Sequence, residues 1–220
     1  MLDWAWMGSH LPALAYRLSQ HLYLAAIALT VGFLVSFAIG IAAVRWRRLY
    51  PPATAFSGFL YTIPSLALYA AFVPITGIRS VATVEIPLVM YTLVILVRNV
   101  VAGFDAVPAD VLEAADGMGY SRLRRLWRVE LPLAVPLMIA GLRVASVSTI
   151  GLVTITALVS SAWGGLGFFI LEGYSRFFPT EIYFGAVPSI VLALAADRAF
   201  VWLQGRLTPW SGAGLLTEAA

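Results

Sequence analysis

The chain has 220 residues, of which 61% are apolar and 11% charged, with a net charge of +3 and a mean hydropathy of +0.90. A soluble domain of this size carries about 45–50% apolar and about 25% charged residues. The apolar excess excludes a water-soluble globular enzyme as the leading reading and points to an integral membrane protein. Cysteine and lysine are both absent. There is therefore no thiolate chemistry, and no lysine for a phosphate-binding Walker A loop, which argues against ATP hydrolysis by this chain. The only histidines, His10 and His21, lie near the N-terminus and are expected to be lone residues on the outer side.

The first apolar run, Leu22–Val44, holds 23 residues without a charge. As a helix it measures about 35 Å, enough to cross a hydrocarbon core of about 30 Å. Its basic cluster, Arg45, Arg47 and Arg48, follows the run instead of preceding it, which favours a retained helix over a signal peptide. A second run covers about 53–78 and is interrupted by Pro64 and Pro74. A third covers about 81–101, with Glu85 near one end and Arg98 near the other. A polar stretch follows over 105–130. The fourth run covers about 133–161 with Arg143 inside it, and the fifth about 182–203. No repeat and no soluble domain is visible. Residues 1–208 read as one membrane domain and 209–220 as a short polar tail.

Five spans place the termini on opposite sides. Arg45, Arg47, Arg48, Arg122, Arg124, Arg125, Arg128 and Arg206 fall on one face, and only Arg17, Arg79 and Arg176 on the other. Eight against three puts the N-terminus outside and the C-terminus in the cytoplasm. Trp46, Trp163 and Trp202 sit at expected interfaces.

The cytoplasmic stretch between spans three and four predicts two short helices. Pro108 suits a first helical turn, and Asp110 and Glu113 suit its N-terminal half. Gly117 and Gly119 end that helix, and Ser121 caps the next. Leu123, Leu126 and Trp127 share a face of the second helix, away from Arg122, Arg125 and Arg128. A basic amphipathic loop on anionic lipid is one reading of this segment. A helical knob offered to a cytoplasmic partner is the other.

The same stretch carries a signature. Glu113-Ala114-Ala115 is followed after three residues by Gly119, after nine more by Val129, and after one more by Leu131-Pro132. This resembles the EAA motif of ABC-importer permeases, element by element. The five-span, N-out arrangement is similar to the methionine-type permease fold. Thr62–Leu68 with Pro74–Ile78, the run Gly164-Gly165-Leu166-Gly167 with Ile170 and Gly173, and Gly185–Pro188 with Leu192–Leu194 and Asp197 resemble permeases for glycine betaine, carnitine and choline. The chain departs from that pattern at Tyr61, Arg79 and Ala162-Trp163.

The resemblance implies an all-α integral membrane fold: five transmembrane helices, N-terminus outside, C-terminus cytoplasmic, and cytoplasmic coupling helices between spans three and four. It implies a transport subunit, not an enzyme, in the bacterial cytoplasmic membrane. The partners it implies are a pair of ABC ATPase subunits, a second permease copy (identical or paralogous) and a separate extracytoplasmic substrate-binding protein. ATP and Mg would be bound on the ATPase, with no cofactor on this chain and no nucleic acid involved. Glu113, Ala114, Ala115, Gly119, Val129, Leu131 and Pro132 would form the ATPase-coupling segment.

Within the spans, Pro64 and Ser65 are candidates for the pathway, because broken helices form transporter sites. Pro74, Pro136 and Pro188 read as structural. Arg143 lies deep enough to need a protein or water partner, as a gate residue or as one half of a buried bond. Arg98 and Asp197 read as snorkelling residues. Gly164, Gly165 and Gly167 suit a tight turn or gate. Trp163, Glu172, Tyr174 and Arg176 on the outer loop are candidate contacts for the binding protein. Its aromatic residues could also hold a quaternary ammonium ion.

The cargo stays open between quaternary-ammonium osmoprotectants and methionine, another amino acid or a related zwitterion. An intramembrane enzyme would need a polar cluster at one depth, and a channel a filter motif or an acidic ring. The sequence offers neither.

Overall fold

Small residues decide how the first long helix packs. In the computed structural model, which describes residues 2–211, ten α-helices run in chain order. They are α1 (Trp4–Ser9), α2 (Leu11–Arg45), α3 (Tyr50–Thr62), α4 (Ser65–Thr76), α5 (Ala82–Asp105), α6 (Ala109–Gly117), α7 (Arg122–Arg125), α8 (Leu131–Thr156), α9 (Gly167–Ser175) and α10 (Pro179–Leu207). The buried stripe of α2 is Ala28, Gly32, Ser36, Gly40 and Ala43. It lets α5 come so close that a Cβ on Gly32 would run into the Thr92 side chain, and one on Gly40 into Val100. Two apolar helices gain little from hydrophobicity inside lipid, so this close packing is what joins them.

Helix α5 is the hub, packed against α2, α3, α4 and α8, while α10 lies outside against α8 and α9. Leu24, Ala28, Tyr69, Val84, Leu88, Ile150 and Val153 form the core toward one end. Val100, Phe104, Ala134 and Met138 form it toward the other.

The second span is broken, not straight. Helices α3 and α4 meet at 94°. Hydrogen bonds at three places nevertheless lay the pair along the whole of α5. Arg47, just before α3, binds Asp105 at one end of α5. The Tyr91 hydroxyl donates to the Ile63 carbonyl at the break, 2.5 Å away. Thr83, at the other end of α5, donates to Gly77 just past α4 and contacts Thr76. The pair therefore travels as far as α5 does, about 36 Å. Four helices are long and apolar enough to cross a membrane, and the count is five where the bent pair is taken as one span.

The termini agree with an odd number of crossings. The Asp3 amide donates to Thr180 at the start of α10, 3.0 Å away. At the other end, Trp210 shares a cavity lining with Arg128 and Pro132. Arg45, Arg122 and Arg125 line one cavity there, and Arg47 binds Asp105 nearby. Arg17 and Arg79 line a cavity at the opposite end. Five of the eight arginines expected on one face, Arg45, Arg47, Arg122, Arg125 and Arg128, thus lie at one end of the bundle, and Arg17 and Arg79 at the other. The arginine-rich end is the one that the positive-inside rule expects on the cytoplasmic side. The tail residues 212–220 lie outside the described residues.

Several boundaries differ from the sequence reading. Helix α2 begins at Leu11, eleven residues before the uncharged run, because Arg17, Gln20 and His21 on that extension have protein partners. The fourth span ends at Thr156, not Ser161. The Thr156 hydroxyl donates to the Trp163 carbonyl at 2.7 Å and folds residues 157–163 into turns. The second short cytoplasmic helix is not separate. Helix α7 runs through a π-helical turn, Leu126–Glu130, directly into α8. The wider turn re-aims the side chains that follow it. Leu126 packs on the core, whereas Leu123 and Trp127 are exposed.

Candidate functional site

The cytoplasmic knob is built by two turns and one clamp. Helix α6 ends in a Schellman arrangement. The Tyr120 amide donates to the Ala115 carbonyl, and the Gly119 amide to that of Asp116. Gly119 has φ +74°, which a side chain adopts at a cost of about 1–2 kcal/mol. Ser121 then caps α7 by accepting from the Arg124 amide. Glu113 and Ala114 are exposed on the tip together with Gly119. Ala115 is not: at 1% exposure it packs inward. Of the two motif alanines, Ala114 is thus on the surface and Ala115 seats the knob on its base. Val129, Leu131 and Pro132 are half-buried at the root of α8.

The sequence marks Arg125 only as part of a basic face. Its guanidinium donates to Asp116 on α6 at 2.5 Å and to Glu130 at 2.8 Å. One residue thus ties the knob to the first residues of the fourth span. Glu130 is buried and Asp116 mostly exposed, so the clamp runs from surface to root. The signal was an acid nine residues before Arg125 and another five after it, both at positions the EAA pattern leaves open.

In the membrane region, Pro64 caps α4 at the bend and Ser65 opens it, half-buried. Pro74, Pro136 and Pro188 lie inside continuous helices. Tyr91 stands about 14 Å along α5, so the bend sits near mid-depth. Arg143 on α8 donates from Nε to Asp197 on α10 at 2.9 Å. Asp197 is therefore an ion-pair partner and not a snorkelling acid. The pair crosses between helices because each charge needs the other in an apolar layer.

At the outer end, the glycine run is a packing device. A Cβ on Gly167 would strike the Thr154 backbone, and one on Gly164 would lie 2.8 Å from the Ala157 Cβ. Gly165 has φ +50° against His21. Three residues of α2 hold this run. Arg17 reaches the Ser161 carbonyl, and Gln20 donates to Ala162 and accepts from the Gly165 amide. His21 accepts at Nδ1 from the Leu166 amide, which leaves Nε2 to donate to Ile150. His21 is fully buried, and His10 stacks on Trp6 at 4.0 Å. Neither histidine is lone. The signal missed was i, i+3, i+4 spacing of 17, 20 and 21 on one helix.

Trp163 donates to the Arg79 carbonyl at 2.7 Å and stacks on Tyr23. Arg176 pairs with Glu172 at 2.7 Å, and Tyr174 is exposed beside them. Glu172, Tyr174 and Arg176 thus lie together at the end of α9, whereas Trp163 packs separately against α2 and the loop before α5.

A family described as binding-protein-dependent transport system inner membrane component matches residues 32–210. The chain belongs to this family. The glycine betaine/carnitine/choline transport system permease protein OpuCB of Bacillus subtilis (strain 168) is 32% identical over 196 residues, which cover 89% of each chain. The osmoprotectant import permease protein OsmW of Salmonella typhimurium is 33% identical over 194 residues, 86% of this chain and 89% of its own. Among solved structures, an inward-facing form of the MetNI methionine ABC transporter superposes with a TM-score of 0.76. It is 20% identical over 89% of this chain and 96% of that one, a likeness of fold. The expected methionine-type permease fold is thus the fold found. In this permease the knob, the bent helix pair and the glycine-run end are three separate regions of one multi-pass membrane chain.

Proposed function

We propose that the chain is the permease subunit of an ABC importer that carries quaternary-ammonium osmoprotectants such as glycine betaine, carnitine, choline or proline betaine. The observation that carries the cargo class is the identity of about one third, over nine tenths of the chain, to permeases named for these solutes. The exposed Glu113, Ala114 and Gly119 on a clamped knob support the coupling role.

In this reading the subunit sits in a bacterial cytoplasmic membrane beside a second permease copy. Two ATPase subunits hold ATP and Mg, and a separate extracytoplasmic protein delivers the solute to the outer-loop residues Trp163, Glu172, Tyr174 and Arg176. The Glu113 carboxylate accepts a charge-assisted hydrogen bond from a basic ATPase residue. Closure of the ATPase pair pushes the knob, and Arg125 passes the push to the root of α8. The bend at Pro64-Ser65 and the turn over Gly164, Gly165 and Gly167 accommodate the change of access. The ATPase must contact the inward- and outward-facing states differently, or nothing is driven.

The test is radiolabelled glycine betaine uptake in a strain without its own osmolyte importers. The chain is expressed with its neighbouring ATPase and binding protein, alongside a Glu113→Ala/Gly119→Asp variant. Uptake lost in the variant is the expected result. Normal uptake by Gly119→Asp overturns the coupling role. Binding-protein-stimulated ATP hydrolysis with methionine but not betaine overturns the cargo and leaves the importer.

A further inference from the structure

A cavity of about 780 Å³ opens at the arginine-rich end, between the last turns of α2 and α5 and the α6–α7 knob. Its floor is apolar: Ile41, Val44 and Phe104, continuous with the buried core at that end. Its rim carries Arg45, the last residue of α2, and Arg122, the first of α7. Among the described residues neither side chain has a hydrogen-bond or ion-pair partner, and both are exposed. The remaining charges on the lining are Arg125, Asp116 and Glu130, already joined in the clamp. Two carboxylates against three guanidinium groups leave the lining with one net positive charge.

We propose that this cavity is a binding site for one anionic phospholipid of the inner leaflet. Arg45 closes α2 and exposed Trp46 follows it, so the rim lies at headgroup level. Ile41 stands about 6 Å deeper along the same helix, at acyl-chain level. A phosphodiester at the rim would receive charge-assisted bonds from both free guanidinium groups, and its chains would cover the floor. A soluble partner matches this shape less well. The knob's exposed tip, Glu113 and Ala114, offers it a surface without reaching the floor. A bound lipid would wedge between α2 and the clamp, so the site depends on the cavity and not on the proposed cargo.

The full-length permease, purified with its ATPase, is placed in nanodiscs of equal phosphatidylglycerol and phosphatidylcholine. Lipids retained after detergent extraction are counted by native mass spectrometry. Wild type is expected to retain phosphatidylglycerol preferentially, and Arg45→Gln/Arg122→Gln to lose that preference by roughly thirtyfold, from two arginines at the membrane surface. Leu123→Glu, which keeps both arginines but puts a negative charge on the lining, is expected to lose it too. Arg48→Gln/Arg124→Gln removes as much charge away from the cavity and is expected to keep it. No preference in wild type, or equal loss in both arginine pairs, overturns the site. Retention in the permease alone but not with the ATPase bound overturns it too, and makes the face a protein surface.

Discussion

The Tyr91 hydroxyl lies 2.5 Å from the Ile63 carbonyl and donates to it. That carbonyl belongs to the residue between α3 and the Pro64 that caps α4, where the helical ladder is interrupted. Inside a bilayer an unpaired carbonyl has no water to turn to. Tyr91→Phe should therefore destabilise the permease by about 1 kcal/mol and loosen the bend. A lower unfolding temperature in detergent, with uptake reduced, is the expected pair of results. An unchanged unfolding temperature would show that the carbonyl finds another donor.

Arg125 separates docking from transmission. Arg125→Gln leaves Glu113, Ala114 and Gly119 on the tip but frees Asp116 from Glu130. Co-purification with the ATPase is expected to persist while uptake falls roughly tenfold or more. Equal losses of both would place Arg125 in the docking surface instead.

Arg143 and Asp197 should be more tolerant of joint removal than of single removal. Arg143→Met alone strands a carboxylate between α8 and α10, and Asp197→Leu alone strands a guanidinium. Each is expected to cut the yield of monodisperse protein sharply. The double variant is expected to recover most of it, since apolar replacements need no partner. Additive losses would mean that the two charges act independently.

Gly167→Ala should prevent stable assembly of the outer end, because the new methyl meets Thr154 backbone and not a movable side chain. Gly151→Ala is the matched control: it has open space around it and should be neutral or slightly stabilising. Size-exclusion profiles of the two variants distinguish them. A monodisperse Gly167→Ala protein would show that α9 can shift away from α8.

The sequence by itself determined that this is a membrane chain, where its apolar runs lie, which loops hold the arginines, and where the EAA segment lies. Those features are written in local composition: long apolar runs, charge bias between loops, and fixed spacings within about twenty residues. Gly119 is of this kind, since a helix stop with a left-handed residue is a local event. The tertiary structure alone decided which polar residues answer one another. Arg143 finds Asp197 54 positions away, Gln20 and His21 find the glycine run about 145 positions away, and Tyr91 finds Ile63 across a bend. Hydropathy assigns each such residue a cost but names no partner. In lipid that cost forces a partner to exist, and only the packing of α2, α5, α8 and α10 determines which one it is. The inward turn of Ala115 has the same origin: identity placed it in the motif, and burial against the knob's base removed it from the surface.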